Sequence, residues 1–209
     1  MSLAPKFIPS HIYKASSGTV PANVHRIQLF LDYDCPFSAI LFFKFYKSVI
    51  PETEKLYPGK FQFVFYNVPQ PWHPTSSLLH EVSLAVAAVA PSKFWDYSNI
   101  LFENQSQFFD TETYNETRKE TYQRLIDLAT PLGIEAAELW KFVEIKASDS
   151  PSNAGNLIGK DFKYFIRLHR TIGVHVTPTI AINGILNTSL ESSTSVDDYL
   201  KVFGQQLES

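Results

Sequence analysis

The run Val24-His25-Arg26-Ile27-Gln28-Leu29-Phe30-Leu31-Asp32-Tyr33-Asp34-Cys35-Pro36-Phe37-Ser38 decides the fold. Its first half is β-rich, partly alternating and apolar toward its end, which is the pattern of a buried strand. Cys35-Pro36 follows at once. Proline suits the first turn of a helix, where its missing N–H would have no partner. Ala39 to Tyr46 is then apolar on nearly every face. The chain therefore reads as strand, sharp turn, buried helix, and Pro51 is expected to kink or end that helix.

Outward from this unit, Phe61-Gln62-Phe63-Val64-Phe65-Tyr66 alternates and reads as a second strand. Two strands joined through a helix should be parallel, by a right-handed crossover. Val68-Pro69-Gln70-Pro71-Trp72-His73-Pro74 has too many prolines for regular structure. From Ser77 to about Arg170 every segment reads as helical. Leu78, Val82, Ala85 and Val89 share one face until Pro91, and Thr117-Arg118-Lys119-Glu120 is a capping box. Gly133 reads as a C-terminal stop, and further helices cover Ala136 to Lys146 and about Asn156 to Thr171. Thr179 to Ile182, Asn183-Gly184 and Ile185 to Thr188 then form a hairpin signature. A last helix runs from about Val196 to Leu207. The fold class expected is α/β, a mixed sheet with helices on both faces. Its divisions are an N-terminal segment over 1–23, a sheet domain over 24–75 and 173–209, and a helical insertion over 76–172.

Composition narrows the function. The 209 residues are 44% hydrophobic and include 17 Phe, enough to bury a sizeable core. The net charge of −3 is spread along the chain, which argues against nucleic acid as a partner. No apolar run reaches the ~18 residues a membrane span needs. The first ten residues do not have the form of a secretory signal. One cysteine excludes an intramolecular disulfide and any Cys-rich metal site, and it fits a reducing compartment, so a cytoplasmic location is expected. No phosphate loop, nucleophile elbow or dinucleotide-binding glycine pattern is present.

A strand, Cys-Pro-x-x at a helix start and a later Thr-Pro before a hairpin together resemble the thioredoxin superfamily, and DsbA-like proteins most of all. Asp32-Tyr33-Asp34-Cys35-Pro36-Phe37 resembles their active-site entry, and Val68 to Pro74 their proline-rich segment. Phe94-Trp95-Asp96-Tyr97 through Gln105 is similar to a helix of their insertion. Val176-Thr177-Pro178-Thr179 is similar to their cis-proline loop. The resemblance spans residues 24 to 207 in order. It implies a thioredoxin-like mixed sheet with an all-helical insertion, and Cys35 as the nucleophile. It also implies a cis Thr177–Pro178 bond against Cys35, with the Thr177 backbone open to an extended peptide or glutathione. The departure is Ser38, where dithiol members carry a second cysteine. A dithiol enzyme resolves its mixed disulfide by attack from that second thiol, which Ser38 cannot supply. The resemblance then implies a monothiol thiol–disulfide oxidoreductase. Its partners are thiol or disulfide substrates, and glutathione serves as co-substrate rather than a bound cofactor. Two alternatives stand beside it: a kappa-type glutathione transferase or isomerase, and a non-catalytic module that binds peptide.

A thiolate at a helix N-terminus is stabilised by unpaired N–H groups and the helix dipole. Ser38, one turn on, is expected to donate a hydrogen bond to Cys35, while Asp32 and Asp34 oppose a negative charge there. Cys35 is expected to be partly exposed. Pro36, Phe37, Thr177, Pro178, His175 and Trp72 are the candidate substrate-binding residues, with Phe37 and Trp72 as an apolar wall. His73 is expected to brace its turn or cap the next helix. His11, His25, His80 and His169 have no spacing that groups them, and no metal site is expected. Lys44, Arg26 and Arg167 are the candidate partners for glutathione carboxylates.

Overall fold

The computed structural model describes residues 3–14 and 24–208. Strand β1 (His25–Leu31) is the hub of a four-stranded sheet with order β2-β1-β3-β4. Its parallel partner β2 (Phe61–Asn67) is in register from His25↔Phe61 to Leu31↔Asn67. On its other side β3 (Thr179–Ile182) runs antiparallel, from Ile27↔Ile182 to Phe30↔Thr179. The short β4 (Ile185–Asn187) completes the hairpin, whose turn residues Asn183 and Gly184 have φ of 54° and 87°, the left-handed pair that a two-residue hairpin turn requires. Because β3 opposes β1, the chain entering β3 lies at the edge where β1 ends. That topology brings Thr177 and Cys35 together across 142 positions of sequence.

Of the segment expected over 1–23, residues 1–2 and 15–23 lie outside the described residues. Its described part, residues 3–14, packs on the β2 edge of the sheet. A turn at Pro5–Phe7 leads into α1 (Ile8–His11), then Ile12 bridges Val64 and the Tyr13 N–H donates to the Phe63 carbonyl at 2.9 Å.

Helix α2 (Pro36–Lys44) runs on through a π-helical segment, Phe45–Val49, into α3 (Ile50–Leu56). Pro51 is expected to kink or end the helix, and it does not end it. It occupies the first turn of α3, directly after the π segment. A π turn bonds one residue further along and relaxes the ladder where proline has no N–H to give.

The insertion comprises α4 (Ser76–Val89), α5 (Phe94–Glu103), the short α6 (Asp110–Thr113), α7 (Arg118–Asp127), α8 (Ala136–Val143) and α9 (Gly159–Thr171). Helix α4 lies at its centre, against α5, α7, α8 and α9. Thr117 and Glu120 form the reciprocal capping box at the start of α7. Helices α8 and α9 are shorter at their facing ends than the periodicity predicts, and residues 144–158 have no regular structure. Ser148-Asp149-Ser150-Pro151-Ser152-Asn153 accounts for this, since short polar side chains compete for the backbone and proline cannot donate. The chain closes with α10 (Val196–Gln206), N-capped by Ser195.

Phe61, Phe63 and Phe65 point to one face of β2, as alternation requires. Phe61 and Phe63 meet Phe203 of α10. Phe65 meets Phe42, Phe94 and Trp95 and stacks on Tyr33, so it ties α2 and α5 to the sheet beneath the Cys35 turn. On the opposite face Tyr66 stacks on Phe30 and meets Phe165 of α9. Phe65→Ala empties the centre of the first cluster and is expected to lower unfolding free energy by about 3–5 kcal/mol, as read from urea denaturation.

Candidate redox site

Cys35 caps the N-terminus of α2 in an extended conformation, φ −87° and ψ 118°. Its N–H donates to the Asp32 carbonyl and its carbonyl accepts from Ala39 N–H, each at 3.2 Å. The Thr177–Pro178 peptide bond is cis. The Cys35 thiol donates to the Thr177 carbonyl at 3.3 Å, so the helix start and the loop before β3 meet at the sulfur. Cys35 is only 5% exposed, which corrects the expectation of a partly exposed thiol: its hydrogen is turned inward onto a loop carbonyl. The Thr177 N–H has no hydrogen-bond partner among the described residues. Ser38 also departs from expectation. Fully buried, it accepts from the Asp32 backbone N–H at 3.2 Å and makes no hydrogen bond to Cys35. The hydroxyl thus closes the turn that carries the cysteine.

Asp32 organises everything beneath that turn. Its carboxylate is wholly buried, yet donors surround it. Oδ1 accepts from Ser76 Oγ at 2.5 Å, Asp34 N–H at 3.2 Å and His80 Nε2 at 3.2 Å. Oδ2 accepts from His73 Nδ1 at 2.7 Å and Gln70 N–H at 3.3 Å. Burial pushes this carboxyl up, but the hydrogen bonds from His73, His80 and Ser76 outweigh it and hold the group well below the usual carboxylate range. The same bond to Asp32 raises His73 above an ordinary histidine, despite partial desolvation. Burial lowers His80, whose Nδ1 accepts from Asn67 Nδ2 at 2.8 Å. That contact fixes the proton on Nε2, facing Asp32. Asn67 Oδ1 in turn accepts from His11 Nε2 at 2.9 Å, and burial pushes His11 down to about 3. His11, His80 and His73, which sequence spacing did not group, therefore belong to one polar chain running from α1 to the Cys35 turn. Gln70, His73, Ser76 and His80 recur every three or four residues, and that polar rhythm entering an apolar helix was the available signal.

The Asp34 carboxyl stands apart from this chain. It is 3% exposed. Thr75 Oγ1 lies 2.8 Å from Asp34 Oδ2 and 2.5 Å from the Phe108 carbonyl. One hydroxyl proton cannot serve both, and a carbonyl only accepts, so this geometry suits a protonated Asp34 that donates to Thr75. Burial agrees, pushing Asp34 up to about 6 against the opposing bond to Thr75. Asp34 Oδ1 is buried with no hydrogen-bond partner among the described residues. Asp34 and Pro36, on either side of Cys35, line a cavity of about 350 Å³ with His73, Phe109, Asp110 and Thr111.

The remaining sequence candidates separate. Phe37 and Trp72 are 61% and 59% exposed, so they present apolar surface beside the turn rather than joining the core. His175 is exposed, and its carbonyl accepts from Gln70 Nε2 at 3.3 Å. Lys44 sits at the far end of α2, donating to the carbonyls of Ser192 and Thr194. Arg26 lies near the start of β1, away from the edge that carries Cys35, and its N–H donates to Asn183 Oδ1. Arg167 lies on α9. None of these three cations lines the cavity beside Cys35.

A family model described as thioredoxin matches residues 17–201. The chain belongs to the thioredoxin family. Several solved structures are similar to this thioredoxin-family chain. A candidate protein-disulfide isomerase from Pseudomonas syringae is 20% identical, with 85% of this chain and 92% of that one covered at a TM-score of 0.69. The thiol-disulfide exchange protein α-DsbA2 from Wolbachia pipientis is 19% identical, with 90% and 85% covered at 0.60. A periplasmic thioredoxin-like protein from Salmonella enterica serovar Typhimurium is 16% identical, with 99% and 92% covered at 0.59. No curated protein matches the sequence. The fold is thus the DsbA-like form of the thioredoxin fold, here with a single thiol. The expected cytoplasmic location does not stand, because a neighbour of this fold is periplasmic, and a lone cysteine in such a fold no longer argues for a reducing compartment.

The raised Asp34 carboxyl gives this thioredoxin-family protein a pH signature. The native state holds a proton that the unfolded chain releases near pH ~4. The stability linked to it is complete below that pH and is lost as pH rises through about 6. Asp34→Asn keeps a donor toward Thr75 and removes the loss. It is expected to be more stable than the parent by about 1–3 kcal/mol near pH 8, with the difference vanishing near pH 4, as read from urea unfolding at both values.

Proposed function

We propose that this protein is a monothiol thiol–disulfide exchange protein acting through Cys35. The thiol gives up its proton, and its sulfur attacks one sulfur of a substrate disulfide. A Cys35–substrate disulfide forms, the substrate S–S bond breaks, and the second substrate sulfur leaves as a thiolate that takes up a proton. Cys35 is oxidised and the leaving half of the substrate is reduced, so electrons balance without a further oxidant. Ser38 cannot attack the intermediate, so an external thiol resolves it, with glutathione the small-molecule candidate. An extended peptide would pair with the free Thr177 N–H, and exposed Phe37, Ile40, Trp72 and Val176 offer it apolar contact.

One observation carries this reading: the single cysteine sits at the N-terminus of α2, 3.3 Å from the carbonyl that precedes Pro178. A helix start favours the thiolate, and a loop backbone edge lies within reach of whatever bonds to it. Fold membership by itself would not suffice. The 5% exposure of Cys35 favours a second reading, a binding module whose thiol stays inert. Alkylation separates the two. Exchange predicts complete iodoacetamide modification of the native protein, and resolution by glutathione of a mixed disulfide preformed with a small disulfide. A thiol that is modified only after denaturation would leave the binding module as the better account.

Ser38→Cys tests whether the missing second thiol is what makes this a one-thiol site. The position is three residues on from Cys35 in the first turn of α2, a spacing that suits disulfide geometry. The oxidised variant is expected to lose both free thiols and be two hydrogens lighter by mass spectrometry, with reversal by dithiothreitol.

A further inference from the structure

We propose that Gln70 is a positioning residue for peptide substrates: its side-chain N–H, bound to the His175 carbonyl, keeps the Thr177 backbone edge beside Cys35 once the thiol has given up the hydrogen that otherwise holds that edge. This rests on the thiol–disulfide reading above and names the residue on which capture of an extended peptide depends.

The loop before β3 has little packing of its own. His175 and Val176 are exposed, and residues 174–178 have no regular structure. Four side chains hold it instead, one on each of four successive carbonyls. His169 Nδ1 donates to Val174 at 3.1 Å, Gln70 Nε2 to His175 at 3.3 Å, Thr179 Oγ1 to Val176 at 2.7 Å and the Cys35 thiol to Thr177 at 3.3 Å. His169 and Thr179 are near neighbours of the loop in sequence, so their bonds shape it locally. Gln70 and Cys35 reach it from 105 and 142 positions away and tie it to the rest of the site. Gln70 is itself firmly placed. It is buried, its backbone N–H donates to Asp32 Oδ2 at 3.3 Å, and its carbonyl accepts from the His73 N–H at 3.1 Å. One residue therefore joins the loop to the carboxylate beneath the Cys35 turn.

The reaction breaks one of the two long-range ties. A thiol donates only while it keeps its hydrogen. The attacking thiolate has none, and the sulfur of a mixed disulfide has none either. The Thr177 carbonyl is thus released as the substrate arrives, and it becomes an acceptor for a peptide N–H. The Thr177 N–H, which has no hydrogen-bond partner among the described residues, is the matching donor. Pairing through both groups requires the edge to stay in place after the thiol lets go. Gln70 is bound to a carbonyl two residues away, which the chemistry never touches. An edge kept in order spares an extended peptide the cost of ordering it. A small disulfide with no backbone to pair gains nothing from it.

The test compares two disulfides on the intact protein: bis(2-hydroxyethyl) disulfide, and the symmetrical disulfide of an acetylated and amidated Ala-Ala-Cys-Ala-Ala peptide. Formation of the Cys35 mixed disulfide is followed by mass spectrometry as a function of concentration. Gln70→Met keeps the side-chain length and removes the donor. The peptide concentration for half-saturation should rise about fivefold, the scale of one hydrogen bond. The limiting rate and the rate with the small disulfide should stay within about twofold of the parent. A peptide N-methylated on both sides of its cysteine should give the parent and Gln70→Met the same half-saturation. An unchanged half-saturation for the unmodified peptide, or an equal loss with both disulfides, would overturn the positioning role while leaving exchange at Cys35 intact. A parent that reacts with neither disulfide would defeat the exchange reading, and this inference with it. Should Gln70→Met fail to fold, hydrogen exchange of the Gln70 side-chain amide in the parent decides. That amide should stay protected after Cys35 is blocked as a mixed disulfide with 2-mercaptoethanol, and exchange as fast as that of an exposed glutamine would reject the tether.

Discussion

A buried carboxylate that stays charged is the constraint on which this molecule is built. Desolvating Asp32 costs several kcal/mol in isolation, so the chain must bring donors to it from every side. It does so from the segment after β2, from the first turns of α4 and from the Cys35 turn itself. Each donor is a positional commitment. Gln70 and His73 fix the proline-rich segment, Ser76 and His80 anchor α4 and with it the insertion, and the Asp34 N–H shapes the approach to the cysteine. The loss of any one donor leaves a charge incompletely solvated in the interior, so these elements are coupled through one side chain although they are distant in sequence.

Two acids flanking Tyr33 have opposite fates, and the contrast is instructive. Asp32 and Asp34 are both buried and lie two residues apart. The first is surrounded by N–H and O–H groups and is held ionised, while the second meets one hydroxyl already directed to a carbonyl, and burial holds its proton. Donor count, not burial, separates them. The turn before the thiol therefore presents a fixed negative charge on its inner side and a titrating group on its outer side.

Much of the frame was legible in the sequence because it rests on local rules. The β1 run, proline in a first helical turn, the capping box at Thr117 and the Asn183-Gly184 hairpin each carry their signal within a few residues. The antiparallel β3 that delivers Thr177 to Cys35 followed from topology. What was not legible depended on long-range pairing. Ser38 reads as a partner of the thiol because it lies one turn away, but the backbone N–H of Asp32 captures its oxygen. His11, His73 and His80 show no common spacing because the partners that join them, Asn67 and Asp32, lie far off in sequence. Exposure of Cys35 failed for the same reason, since the loop that covers it enters from the other end of the chain.

The π segment at Phe45–Val49 has a consequence for chain length. A π turn takes up one more residue than an α turn. Were Pro36 to Leu56 α-helical throughout, everything after the segment would rotate by about 100°, carrying the buried Ile50 and Thr53 away from the interior. A chain one residue shorter between 45 and 49 would instead be a plain α-helix with both faces in their present phase. The segment therefore behaves as an absorbed single-residue insertion. An alignment of this chain with a relative whose helix is regular should open its gap here, leaving Cys35 before it and the β2 phenylalanines after it in register.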